Sequence, residues 1–163
     1  TEYPLDISRV VAVGHSAGGH LAAWLAQRHN LEPGMTLFQK DPLPITGVVS
    51  LAGIPDLVKA GEFEICSGAP EELIGGDHDT YPERYRQASP HSGPALGVTQ
   101  WHIVGADDSL VPARYVSNAI EFAKGRGEDV TLITVPDAGH FELVSAGSHA
   151  WPIVESTILS ALC

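Results

Sequence analysis

The sequence predicts an α/β domain, a parallel sheet with flanking helices, and three observations carry that reading. Four apolar runs, at residues 9–14, 45–52, 99–105 and 130–135, have the unbroken character of strands buried on both faces. Segments with helical spacing follow the first, third and fourth runs, and such alternation implies parallel strands joined by right-handed crossovers. Finally, Gly14-His15-Ser16-Ala17-Gly18 is a G-x-S-x-G sequence at the join of the first run and the first helix, the strand–turn–helix setting that motif requires.

Taken in order, Arg9–Gly14 is the first strand, and Ala17–His29 follows as a helix. Leu21, Trp24, Leu25 and Arg28 fall on it at three-and-four spacing, with Asn30 near its stop. Residues 31–44 carry Pro33, Gly34, Pro42 and Pro44 and read as a loop before the second strand, Ile45–Ala52. Asp56–Gly97 mixes glycine, proline and charge, with short helical hints only at Pro70–Ile74 and Pro82–Gln87. At about 40 residues it far exceeds an ordinary strand-to-helix connection, and such loops usually carry function. It is read as a lid-like excursion over the site, with an insertion remote from the chemistry as the alternative. Thr99–Gly105 is the third strand. Val111-Pro112 opens a helix to Lys124 with Val116, Ala119, Ile120 and Ala123 on one face. Val130–Val135 is the fourth strand, and His149–Leu162 closes the chain as an amphipathic helix.

The 163 residues suit one domain, residues 1–163, with a sizeable core. A 44% hydrophobic and 18% charged composition is that of a globular chain. Net charge is −11 with no cluster of Lys and Arg, which excludes a nucleic-acid surface. No apolar stretch approaches the roughly 20 residues of a bilayer crossing. Two cysteines, Cys66 and Cys163, are too few for a disulfide framework, so a reducing, cytoplasmic setting is the expectation.

A serine hydroxyl attacks only when a base takes its proton and a third group orients that base. Ser16 could merely cap the following helix, but a cap alone does not call for Gly14 and Gly18 on either side. Those glycines are expected because a Cβ at either would collide across so tight a turn. The N–H of Ala17 would then help to hold an oxyanion at the positive end of the helix. Asp107 and Asp108 both follow the third strand, with the Val111-Pro112 register favouring Asp108, and His140 follows the fourth. Strand C-termini share one edge of an open parallel sheet, so these loops can converge there. His15 and His20 flank the turn and are possible pocket residues. The remaining histidines, His78 between two aspartates included, show no metal-ligand spacing, and no phosphate loop is present, so neither metal nor cofactor is expected.

GHSAGGHLA at 14–22, G-x-x-D-x-x-V-P at 105–112 and AGHF at 138–141 resemble the C-terminal portion of an α/β-hydrolase. The likeness is to the carboxylesterase and kynurenine-formamidase-like group, and Tyr85–Pro90 resembles the stretch leading to its acid-bearing strand. The resemblance covers nearly the whole chain and implies Ser16 as nucleophile, Asp108 as orienting acid and His140 as general base. It implies a carboxylic ester hydrolase acting on small esters or activated amides. An arylformamidase or peptidase on the same triad is the nearest alternative, and an inactive fragment or binding module the other. That family takes a second oxyanion donor from a loop after an early strand, which has no counterpart in these residues. By its topology the chain would supply four of eight strands. The Val10–Val13 edge is then expected to pair with missing N-terminal polypeptide or with another copy.

Overall fold

The computed structural model describes residues 3–163. Its centre is a four-stranded parallel sheet of β1 (Val11–His15), β2 (Gly47–Leu51), β3 (Thr99–Gly105) and β4 (Val130–Val135), in that spatial order. Ala12 pairs with Val48, Val48 with Gln100, and Gln100 with Val130, so one row of side chains crosses the sheet on one face. The neighbouring row, Val13, Val49, Trp101 and Thr131, points to the other. Six helices accompany the sheet: α1 (Ala17–Gln27), α2 (Leu57–Glu62), α3 (Ala69–Ile74), α4 (Pro82–Ala88), α5 (Ala113–Gly125) and α6 (Trp151–Ala161). The architecture is the α/β arrangement expected, with strands β3 and β4 at the predicted bounds.

The stripe that α1 buries is not the one its large residues mark. Ala22, Ala23 and Ala26 pack on Ala12, Val48 and Leu96, whereas Leu21 is 55% exposed and Trp24 only half-buried. A helix that starts on a one-residue turn from its strand lies close against the sheet, and there only small side chains fit between the backbones. The larger cluster joins Val49, Leu51 and Ile103 of the sheet with Val116 and Ile120 of α5 and Val154 of α6.

The excursion at 56–97 is more ordered than its composition suggests. Asp56 caps α2, a helix unforeseen in the sequence, by accepting from the N–H groups of Val58 and Lys59 at 2.9 and 3.1 Å. The same oxygen accepts from Ser92 Oγ at 2.9 Å, while Ser89 Oγ accepts from Leu57 N at 2.8 Å. His91 N donates to Pro55 O at 3.0 Å, so the two ends of the excursion are fastened together.

Its far end is fastened to α1. His20 Nε2, Trp24 Nε1 and Gln27 Nε2, one stripe of α1, donate to the carbonyls of Ala88, Gln87 and Arg86 at 2.8, 2.9 and 3.1 Å. A helix leaves its last four carbonyls without intrahelical partners, and here α1 side chains satisfy those at the end of α4. Cys66 and Cys163 are both free and exposed. Among the described residues no helix is long and apolar enough to cross a membrane.

Candidate active site

β1 ends at His15 and α1 starts at Ala17, which leaves Ser16 to make the whole turn. Its backbone adopts φ 55° and ψ −122°. A residue with a side chain takes such a conformation at a cost of roughly 1–3 kcal/mol and only where its surroundings impose it. Here Ser16 N donates to Leu51 O at 2.8 Å, and Ser16 O accepts from Gly19 N and His20 N at 2.9 and 3.1 Å.

A Cβ on Gly14 would lie 2.0 Å from the carbonyl oxygen of Gly18, so the first glycine of the motif is required. Gly18 is not. A Cβ there meets nothing within 4 Å, because it is the Gly18 main chain that closes on Gly14 while its side-chain position points to open space. Ser16 makes no capping bond to α1. Among the described residues its Oγ takes part in no hydrogen bond, so the structure does not close a link from Ser16 to the His140 ring. The N–H groups of Ala17 and Gly18 open the helix and have no acceptor within it.

Asp108 and His140 are brought together. Asp108 Oδ2 lies 2.7 Å from His140 Nδ1, with the Asp108 side chain 0% and the His140 side chain 6% exposed. The other carboxylate oxygen accepts from Leu110 N and Val111 N at 2.9 and 2.8 Å, which fixes its direction. Asp107 instead faces solvent and contributes its N–H to Ala138 O at 2.9 Å. The loops after β3 and β4 therefore touch backbone to backbone. Gly105 allows this, since a Cβ there would stand 2.2 Å from Ala138 O. An aspartate can only accept from Nδ1–H, so the hydrogen bond leaves Nε2 of a neutral His140 as the bare, basic nitrogen.

The two flanking histidines go to different places. His20 lines a cavity of about 610 Å³ with Leu21, Trp24, Leu37, Leu73 and Arg84, and burial pushes its pKa down. None of Ser16, Asp108 and His140 lines that cavity. His15 sits beside His140, with ring centroids 4.4 Å apart and His15 Nε2 2.9 Å from the His140 carbonyl oxygen. Phe141, 64% exposed, stands edge-on to the His140 ring at 5.2 Å. Glu142 Oε2 accepts from Gly139 N at 3.0 Å and braces the same loop. Nothing in the spacing of the sequence foretells the His15 contact. Among the described residues no group of three His, Cys, Asp or Glu side chains is arranged to hold a metal ion.

The profile of the BD-FAE family matches residues 1–118, which include Ser16 and Asp108 and stop short of His140. No curated protein sequence matches the chain. Among solved structures, a truncated form of a carbohydrate esterase from gut microbiota superposes with a TM-score of 0.72 at 20% identity, over 98% of this chain and 62% of that one. The Est2 esterase of the Planctomycetes species Thermogutta terrifontis gives 0.65 at 21% identity, over 92% of this chain and 52% of its own. The acylaminoacyl peptidase of Pyrococcus horikoshii gives 0.67 at 19% identity, covering 95% here and 24% there. The chain thus spans under two thirds of the length of each. These likenesses establish the α/β-hydrolase fold.

Proposed function

The chain belongs to the BD-FAE family, an α/β-hydrolase-type esterase family, and from that premise we propose that it is a serine hydrolase of small carboxylic esters or activated amides. The observation that carries the reading is the 2.7 Å bond from Asp108 to His140 Nδ1, made on the loop that docks against the residue next to Ser16. Ser16 Oγ attacks the substrate carbonyl carbon and its proton passes to His140 Nε2. Asp108 holds the tautomer and stabilises the imidazolium that forms. The negative charge moves to the carbonyl oxygen, where the Ala17 N–H at the positive end of α1 receives it.

Collapse of this tetrahedral species breaks the bond to the leaving alcohol or amine, which takes the proton back from His140. Water, deprotonated by the same nitrogen, then attacks the acyl carbon, and as the bond to Ser16 Oγ breaks the proton passes from His140 back to Ser16, releasing the acid. Ground-state proton relays are commonly loose without substrate, which accommodates the open gap at Ser16 Oγ. The test is covalent labelling with a fluorophosphonate, read by mass spectrometry of the intact chain, beside turnover of a p-nitrophenyl acyl ester. One phosphonyl group on Ser16, absent in Ser16→Ala together with turnover, is the expected result. Unchanged ester turnover by Ser16→Ala would remove Ser16 as the nucleophile.

A further inference from the structure

The residue before the nucleophile has a contact that this mechanism does not use. The His140 carbonyl oxygen can only accept, so the 2.9 Å contact makes His15 Nε2 the donor, with its proton on that nitrogen. Burial pushes the His15 pKa down. The ionisable groups facing it are His140 and the Asp108 carboxylate, and Phe141 closes the other side at 6.0 Å.

Several bonds hold the loop that carries His140, among them His140 Nδ1 to the Asp108 carboxylate and His149 Nε2 to the Pro136 carbonyl oxygen. Glu142 braces it from within, and Asp107 N ties Ala138 O to the neighbouring loop. Among the described residues only the His15 bond reaches it from the strand that leads into Ser16. The Glu142 and Asp107 bonds act at Gly139 and Ala138, whereas the His15 bond is made to the carbonyl of His140 itself, so its loss would free the ring with respect to both Asp108 and the Ser16 turn. We infer that His15 is a positioning residue: its Nε2–H sets the His140 ring over the Ser16 turn by holding the His140 carbonyl oxygen. The inference rests on the serine-hydrolase reading for its consequence in rate, though not for its geometry.

Glutamine can place its amide nitrogen where the histidine Nε2 stands, whereas leucine fills the space and donates nothing. Three proteins are therefore compared, the natural chain, His15→Gln and His15→Leu, by two readouts. The first is the proton NMR resonance of the His140 Nδ1–H held by Asp108, which needs no substrate and is assigned by its loss in Asp108→Asn. The second is the rate of fluorophosphonate labelling. In His15→Leu the resonance is expected to broaden away by exchange with water. Labelling should slow by about 100-fold, the scale of a misplacement near 1 Å, and His15→Gln should return to within about threefold of the natural chain.

A sharp resonance and natural labelling rate in His15→Leu would overturn the inference. So would a glutamine variant as impaired as the leucine one, since packing of the ring and not its donor would then be responsible. If the natural chain is not labelled at all, the serine reading falls, and the resonance still decides the role of His15.

Discussion

Asp108 and His140 stand 32 residues apart in the chain, yet Oδ2 of one lies 2.7 Å from Nδ1 of the other. The aspartate does two things at once, because its second oxygen receives two main-chain N–H groups of its own loop. Replacing Asp108 by asparagine keeps the shape but presents an amide N–H where an acceptor is needed. Turnover of an acyl ester should fall by about 10⁴-fold, the loss expected when the histidine is held in the wrong tautomer. Asp107→Asn, at the exposed neighbour, should leave turnover within about threefold by the same argument. Steady-state kinetics of the two variants side by side checks this.

The two glycines of the motif should respond oppositely. Gly14→Ala brings a methyl to 2.0 Å from the Gly18 carbonyl, and the turn cannot form around it. The expected outcome is failure to fold or a large fall in melting temperature. Gly18→Ala meets open space within a helix, where alanine is favoured over glycine by about 1 kcal/mol. Its melting temperature should equal or exceed that of the natural chain, as calorimetry can show.

Buried histidines set the acid limit of stability. His102 is buried, and desolvation, followed by the nearby His91, pushes its pKa well below 6.5. Above 6.5 both the folded and the unfolded chain carry it neutral, and stability is whole. As the pH falls from 6.5 toward the depressed folded value, the unfolded chain takes up a proton that the folded interior refuses, and stability declines. Each such histidine gives a slope approaching about 1.4 kcal/mol per pH unit. His102→Leu should flatten the decline seen by urea unfolding between pH 6.5 and 5.

The excursion at 56–97 is held to α1 by side-chain donors. Trp24→Phe keeps an aromatic side chain, smaller than the indole, and removes the 2.9 Å bond to Gln87 O. It should cost about 1 kcal/mol and leave a part-buried carbonyl without its donor. Limited proteolysis within 61–80 should be faster in this variant, with the remainder of the chain cut at an unchanged rate.

What the amino-acid order made legible follows from how local each cause is. Thr99–Gly105 and Val130–Val135 are uninterrupted apolar stretches, and their bounds could be read directly. The helix Leu57–Glu62 could not, since its initiating Asp56 is completed by Ser89 and Ser92 more than 30 residues later. The buried stripe of α1 was hidden for a related reason. Leu21 and Trp24 look like core residues, yet closeness to the sheet reserves that side for alanine. At the site, the order of serine, aspartate and histidine along the chain was enough to nominate them. The choice of Asp108 over Asp107 came from its spacing to Val111-Pro112. That His15 would donate to the loop of His140 depended on the end of β1 meeting a loop 125 residues away, which no local pattern encodes.

The positive φ of 55° at Ser16 has a consequence for anyone engineering this chain. Glycine occupies that backbone region without penalty, so Ser16→Gly would relieve roughly 1–2 kcal/mol of main-chain cost. A library sorted only for survival of heat would therefore be enriched in glycine at position 16, and under the proposed serine-hydrolase mechanism its most robust members would be inert. Sorting has to couple thermal challenge to ester cleavage, or it will discard the one side chain around which the turn is built.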